Sequence, residues 1–93
     1  MRATWKPHTT DQELDAAHRN LLPDSAFAFP SQRKEPLTNA SHVRNALARF
    51  DQVEDVTDKE RELAFENIRA AARHYRVEVA EESWRDLMPK RSE

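Results

Sequence analysis

The chemistry-bearing residues of this chain are few and scattered. Its four histidines, His8, His18, His42 and His74, include no pair at the i, i+4 spacing that lets one helix present two imidazoles to a metal. Asp11, Asp15 and His18 fall at i, i+4 and i+7, so one helical face could offer two oxygens and a nitrogen to a cation. The same spacing describes an ordinary solvated helix surface, and no metal is assigned. His42 falls in the first turn of a helix, where the dipole disfavours its charged form and a local hydrogen bond is the plain use for it. Nucleophilic catalysis would need Ser, Thr or Lys beside a base and an oxyanion donor set, yet Ser25, Ser31, Ser41 and Ser83 all stand in turn or cap contexts. Carboxylates pair at Glu81-Glu82 and at Glu60 and Glu62, but a helical domain this small leaves little room for a buried cleft. No catalytic set and no cofactor is expected, and the chain reads as a non-enzyme.

Charge is the remaining signal. The formal net charge is -2, and it hides a segregated pattern. Residues 33–50 sum to +3, 51–66 to -5 and 67–76 to +3. The basic blocks are Arg33, Lys34, Arg44 and Arg49, then Arg69, Arg73 and Arg76; the acidic block runs from Asp51 to Glu66. Glu62, Glu66, Arg69, Arg73 and Arg76 share one helical face, with acids toward its start and arginines toward its end. That order complements the helix dipole and allows a Glu66–Arg69 pair at i, i+3. Alternatively, the arginines of both basic blocks join in a phosphate-binding face, which requires the two helices to turn them to the same side.

The 93 residues include 35 in the apolar class, of which 13 are Ala, leaving 22 large apolar side chains for a core. That suffices for one small domain and not for two. There is no Gly, which removes phosphate-cradling loops and dinucleotide fingerprints, and no Cys, which removes disulfides, thiolate nucleophiles and zinc ribbons. No apolar stretch of about 7 to 15 residues follows the start, as a secretory leader would need. The longest apolar run, Ala26 to Phe29, is far below the roughly 20 residues of a membrane span. A cytoplasmic location with no membrane partner is expected.

Periodicity divides the chain into a first arm over 1–9, one helical domain over 10–88 and a frayed tail over 89–93. Trp5 and Pro7 show no period, and the arm is either docked or disordered. Thr10 to Glu13 has capping-box spacing ahead of Leu14, Ala17 and Leu21, which predicts a short amphipathic helix stopped by Pro23. Phe27 and Phe29 alternate with Ala, and Pro30 and Pro36 flank a turn near 31–33, which predicts an extended or hairpin segment with a longer loop. Asn39 or Ser41 caps a second helix with Val43, Ala46, Leu47 and Phe50 on one stripe. Thr57 to Glu60 is another capping box, opening a third helix to about Tyr75 with Ala64, Ile68, Ala71, Ala72 and Tyr75 inward, widened by Leu63 and Phe65. Val77 and Val79 form a short extended link to a last turn carrying Trp84, Leu87 and Met88. The fold class is therefore mainly α, with three to four short helices and a proline-bounded extended or hairpin segment between the first two.

The string from Leu22 to Phe50, LPDSAFAFPSQRKEPLTNASHVRNALARF, resembles a small bacterial and phage domain of unknown function. Its pattern is LPDSxFA, a basic RK followed by Pro, a short spacer, HVRNALARF, and a helix with an Ala- and Arg-rich end; the likeness extends to about Val77. Here Glu35 separates the basic pair from Pro36, and Asn39-Ala40-Ser41 fills the spacer. The resemblance implies a domain found alone or appended to larger proteins, phage head-maturation proteases among them. It also draws attention to Arg44, Asn45 and Arg49, which lie off the apolar stripe. They either bond carbonyls of the neighbouring loop, several of which one arginine can satisfy, or meet a partner.

Together these readings lead to a small non-enzymatic helical protein-interaction module in a phage-associated setting. Its expected partner-binding residues are Arg33, Lys34, Arg44, Asn45, Arg49, Arg69, Arg73 and Arg76. Nucleic-acid binding through the same arginines is the alternative, and an acidic nucleic-acid mimic using Asp51 to Glu66 a third. A core of 22 large apolar residues leaves self-association open as well.

Overall fold

A computed structural model of the chain describes residues 1–9 and 15–89. Three helices and one two-stranded antiparallel hairpin follow in the order α1 (Ala16–Leu21), β1 (Phe27–Phe29), β2 (Lys34–Pro36), α2 (Ala40–Arg49) and α3 (Asp58–Tyr75), with 3-10 turns at Asp24–Ala26, Phe50–Gln52 and Trp84–Leu87. Among the described residues no helix is long and apolar enough to cross a membrane.

The two long helices form where the sequence pattern predicts them. Asn39 caps α2 by accepting the His42 N–H, and Val43, Ala46 and Phe50 are buried with Leu47 half-buried beside them. At the start of α3, Thr57 accepts the Glu60 N–H at 3.1 Å while Glu60 accepts the Thr57 N–H at 2.9 Å, satisfying two orphan donors at once. α3 packs against β1 and α2, and α2 against β2. Ala64, Ala71 and Ala72 let these elements approach closely around Phe29, Leu37, Phe50, Phe65 and Ile68.

The hairpin pairs Phe27 with Pro36 and Phe29 with Lys34, and a four-residue loop is closed by the Arg33 N–H on the Pro30 carbonyl. Pro36 brings no N–H, so the ladder resumes one residue later, with the Leu37 N–H on the Ala26 carbonyl at 2.8 Å. All three residues of β1 are buried.

α1 departs from expectation. The helix begins at Ala16 with Asp15 as its cap; the Thr10 capping box and Leu14 lie outside the described residues. None of its residues is buried, and Leu21 is 82% exposed, so the predicted Ala17–Leu21 stripe faces no core. Six residues make less than two turns, too short for a continuous apolar face. The helix is held instead by polar clamps at its two ends, Asp15 at the start and the Arg33 guanidinium at the end.

The arm over 1–9 is docked. Asn67, 0% exposed on α3, accepts the N–H groups of Thr4 (2.7 Å) and Trp5 (2.9 Å) on its Oδ1 and donates through Nδ2 to the Ala28 carbonyl of β1 (2.9 Å). Trp5 then donates its indole N–H to the Leu37 carbonyl at 3.1 Å and meets His74 and Tyr75 edge-on. Beyond Tyr75 the chain turns at Arg76 in a left-handed conformation (φ 59°) and runs back past α3, seating Val77, Val79, Trp84, Leu87 and Met88 on the core. The last 3-10 turn carries its own capping box, Ser83 with Asp86.

Two predictions follow from this framework. Asn67→Ala strips partners from two arm N–H groups and a strand carbonyl, so it is expected to cost about 2–3 kcal/mol, seen as a lower Tm and as fast amide exchange at Thr4 and Trp5. Arg76→Gly removes a Cβ from a left-handed helix end and is expected to add about 1 kcal/mol, read as a higher urea midpoint at unchanged slope.

Candidate partner-binding site

The eight residues singled out from sequence go to three different places. Arg33 turns inward: its guanidinium donates to the Asp24 carboxylate at 2.7 Å and to the carbonyls of Arg19 (3.1 Å) and Leu22 (2.8 Å), and it covers the ring of buried Phe27 at 4.7 Å. Arg33 thus ties the hairpin loop to carbonyls at the end of α1, while Arg44, Asn45 and Arg49 make no hydrogen bond to that loop among the described residues. Arg33 reaches those carbonyls because it leaves the hairpin tip at φ 53°, a backbone region that an arginine enters only at a cost.

Lys34, Arg44, Asn45 and Arg49 are exposed. Arg49 and Lys34, with Arg19, act electrostatically on Glu35, which is half-buried in β2 and also left-handed (φ 58°). Burial pushes the Glu35 carboxyl above the usual carboxylate range, and the three cations only partly offset it.

Arg69 and Arg73 are exposed along the outer side of α3 with Glu62, Arg76 is exposed just past the helix end, and Glu66 of the same predicted stripe is half-buried. The expected Glu66–Arg69 ion pair is absent; the Arg69 guanidinium lies 5.8 Å from the Phe65 ring instead. Among the described residues neither Arg69 nor Arg73 makes an ion pair.

The returning segment flanks this stripe and creates two grooves. One, of about 150 Å³, is lined by Arg69, Ala72, Arg73, Val77 and Val79. The other, of about 290 Å³, lies toward the start of α3 among Glu62, Phe65, Glu66, Glu82, Ser83, Trp84 and Arg85. Trp84 is set there by guanidinium groups, Arg85 at 4.5 Å and Arg61 at 5.8 Å from its ring, with Arg61 anchored on Asp58 at 2.9 Å. The sequence pattern does not single out the groove walls as a candidate site. The alternation of Val77 and Val79 signals an extended segment but not that it folds back beside the arginines.

Several acidic residues have internal duties. Asp58 holds Arg61, and Glu60 is bonded by Gln32 as well as by the α3 cap. The Thr57 backbone N–H, then Gln32, lowers the Glu60 carboxyl below its ordinary range. Asp15 is likewise lowered, by the His18 N–H and then the His18 ring, whose Nδ1 is 2.8 Å away. Asp11, which shares the helical spacing of Asp15 and His18, lies outside the described residues, and no group of three metal-capable side chains occurs among those described.

The Glu35 environment yields a pH prediction. Its folded carboxyl binds protons more readily than the unfolded one, so its contribution to stability is fully present below the ordinary glutamate range and is lost as pH rises through the raised value. Glu35→Gln is accordingly expected to stabilise the protein at pH 7, with the gain in urea midpoint vanishing below about pH 4.

Most of this chain, from the end of the arm to the edge of the second groove, is common to a protein family. No curated protein and no solved structure matches the chain. A family model does match, over residues 8–82, which takes in α1, the hairpin, α2, α3 and the extended return to Glu82. On that match the chain belongs to DUF6582, a family of unknown function.

Proposed function

We propose that this chain is a small non-enzymatic module that binds another protein through the outer face of α3 and the segment returning beside it. The observation that carries this reading is the composition of that face: acids and arginines in separate stretches of one stripe, free of ion pairs at Arg69 and Arg73, beside grooves floored by Ala72, Val77, Val79 and Phe65. Apolar floors rimmed by arginines at one groove and mainly by glutamates at the other suit a polypeptide surface. A phosphate polymer laid along the same stripe would meet Glu62, Glu66 and Glu82. Arg33 and Asn67 support the reading from the other side, since their polar atoms are occupied in holding the fold. Arg44, Asn45 and Arg49 extend the exposed surface onto α2, and Lys34 onto the hairpin. The cytoplasm and a phage-associated setting belong to the same proposal, the latter resting on the signature between Leu22 and Phe50.

A photo-crosslinking amino acid placed singly at positions 44, 49, 69 and 73 and irradiated in the source cell tests this. The expected result is a discrete protein adduct from positions 69 and 73. Adducts to nucleic acid alone, or no protein adduct from any of the four, would overturn it.

A further inference from the structure

The smaller groove is specific enough to suggest what enters it. We infer that it takes an extended segment of the partner in which an apolar side chain is followed two residues later by Asp or Glu; this rests on the module reading above. Three features converge. First, the groove of about 150 Å³, open to solvent with Ala72, Val77 and Val79 on one side and Arg69 and Arg73 on the other, has room for one side chain of leucine or phenyl size.

Second, the wall formed by the returning segment is itself strand-like and unpaired. Val77 and Val79 are half-buried while Glu78 and Ala80 are exposed, the two-residue alternation of an extended chain. The backbone N–H and C=O groups of Glu78 through Glu81 pair with no other described residue. An incoming strand can take up such groups in the manner of strand addition to a sheet edge.

Third, the spacing and sign of charge match. Arg69 and Arg73 stand about one helical turn apart, roughly 5.4–6 Å along the axis. Side chains on one face of a strand repeat every 6.4–6.8 Å or so, nearly the same distance. A strand running along the groove toward the start of α3, with its apolar side chain over Ala72, carries its next same-face residue past Arg69, about 4.5 Å along the axis, within reach of that guanidinium, and a carboxylate there gains a charge-assisted hydrogen bond. The polarity of α3 fixes the direction of charge: the acid lies toward Arg69 with Arg73 beside the apolar residue, and a basic side chain of the partner belongs over Glu62, Glu66 and Glu82 in the larger groove.

The test is a random dodecapeptide display library panned on the full chain, followed by amide-shift mapping of the enriched peptides. Expected are sequences with an apolar residue and an Asp or Glu two positions on, shifts confined to residues 69–81, and binding weakened by about tenfold or more in Arg69→Glu and Arg73→Glu. Both substitutions fall on exposed side chains, and an unchanged Tm certifies the fold. The inference is overturned by enrichment without acids, by equal binding to the reversed variants, or by no enrichment over the bare surface. It is also overturned by equal competition from single-stranded DNA, or by concentration-dependent shifts at 69–81 without peptide, which would assign the groove to a second copy. If the peptides fail while crosslinks at 44 or 49 capture a protein, the groove falls and the module stands. If the crosslinks capture no protein, the module falls whatever the peptides do.

Discussion

A single side-chain amide in the middle of α3 decides whether three stretches of chain stay together. Asn67 stands where an aliphatic residue would continue the buried stripe of Ala64, Ile68 and Ala71, and it replaces apolar contact with hydrogen bonds to Thr4, Trp5 and Ala28. Among uncharged side chains only an amide of this length offers an acceptor to two N–H groups and a donor to a carbonyl from one position. Aspartate would lose the donor and bury a charge; leucine would leave all three backbone groups unmet. The edge contacts of Trp5 with His74 and Tyr75 follow from that anchor, because the indole reaches the Leu37 carbonyl only when its own backbone is held.

Polar clamps recur because the apolar core is thin. α1 buries nothing and is tied down by Arg33; the last 3-10 turn is closed by Ser83 and Asp86; α3 opens on a reciprocal cap. Lacking glycine, the chain places Arg33, Glu35, Asp55 and Arg76 at positive φ. Each carries a Cβ into a region that resists it, at about 1–2 kcal/mol. Arg33 turns that conformation to use, because it is what aims the guanidinium back across Phe27 to the end of α1.

How far the sequence could be read depended on whether a signal was local. α2 and α3 were legible to within a residue or two, since helical periodicity and the Asn39 and Thr57 caps are properties of neighbouring residues. The hairpin was legible as a turn following Phe27 and Phe29, but its left-handed residues were not, as nothing in Arg or Glu advertises positive φ. α1 misled because Ala17 and Leu21 have the spacing of a buried face without a surface to bury against. Arg33 looked like its fellow arginines in one dimension; only the convergence of the Arg19 and Leu22 carbonyls sets it apart. Asn67 did carry a readable mark, a polar residue at a core register, three beyond Ala64 and four before Ala71, while its partners lie 39 to 63 positions away. The groove beside Arg69 and Arg73 was beyond reach for a related reason, since Val77 and Val79 become its wall only once the chain reverses at Arg76.

The distance between Thr4 and Asn67 has a bearing on how the molecule comes into being. Sixty-three positions separate the two ends of that hydrogen bond, in a chain of 93. On a ribosome the first residues emerge long before their anchor does, and Trp5 must remain wetted until most of α3 has left the exit tunnel. α2 can form early from its own local signals, yet closure of the whole waits on a late and distant contact. Translation therefore delivers the parts in one order and the fold joins them in another.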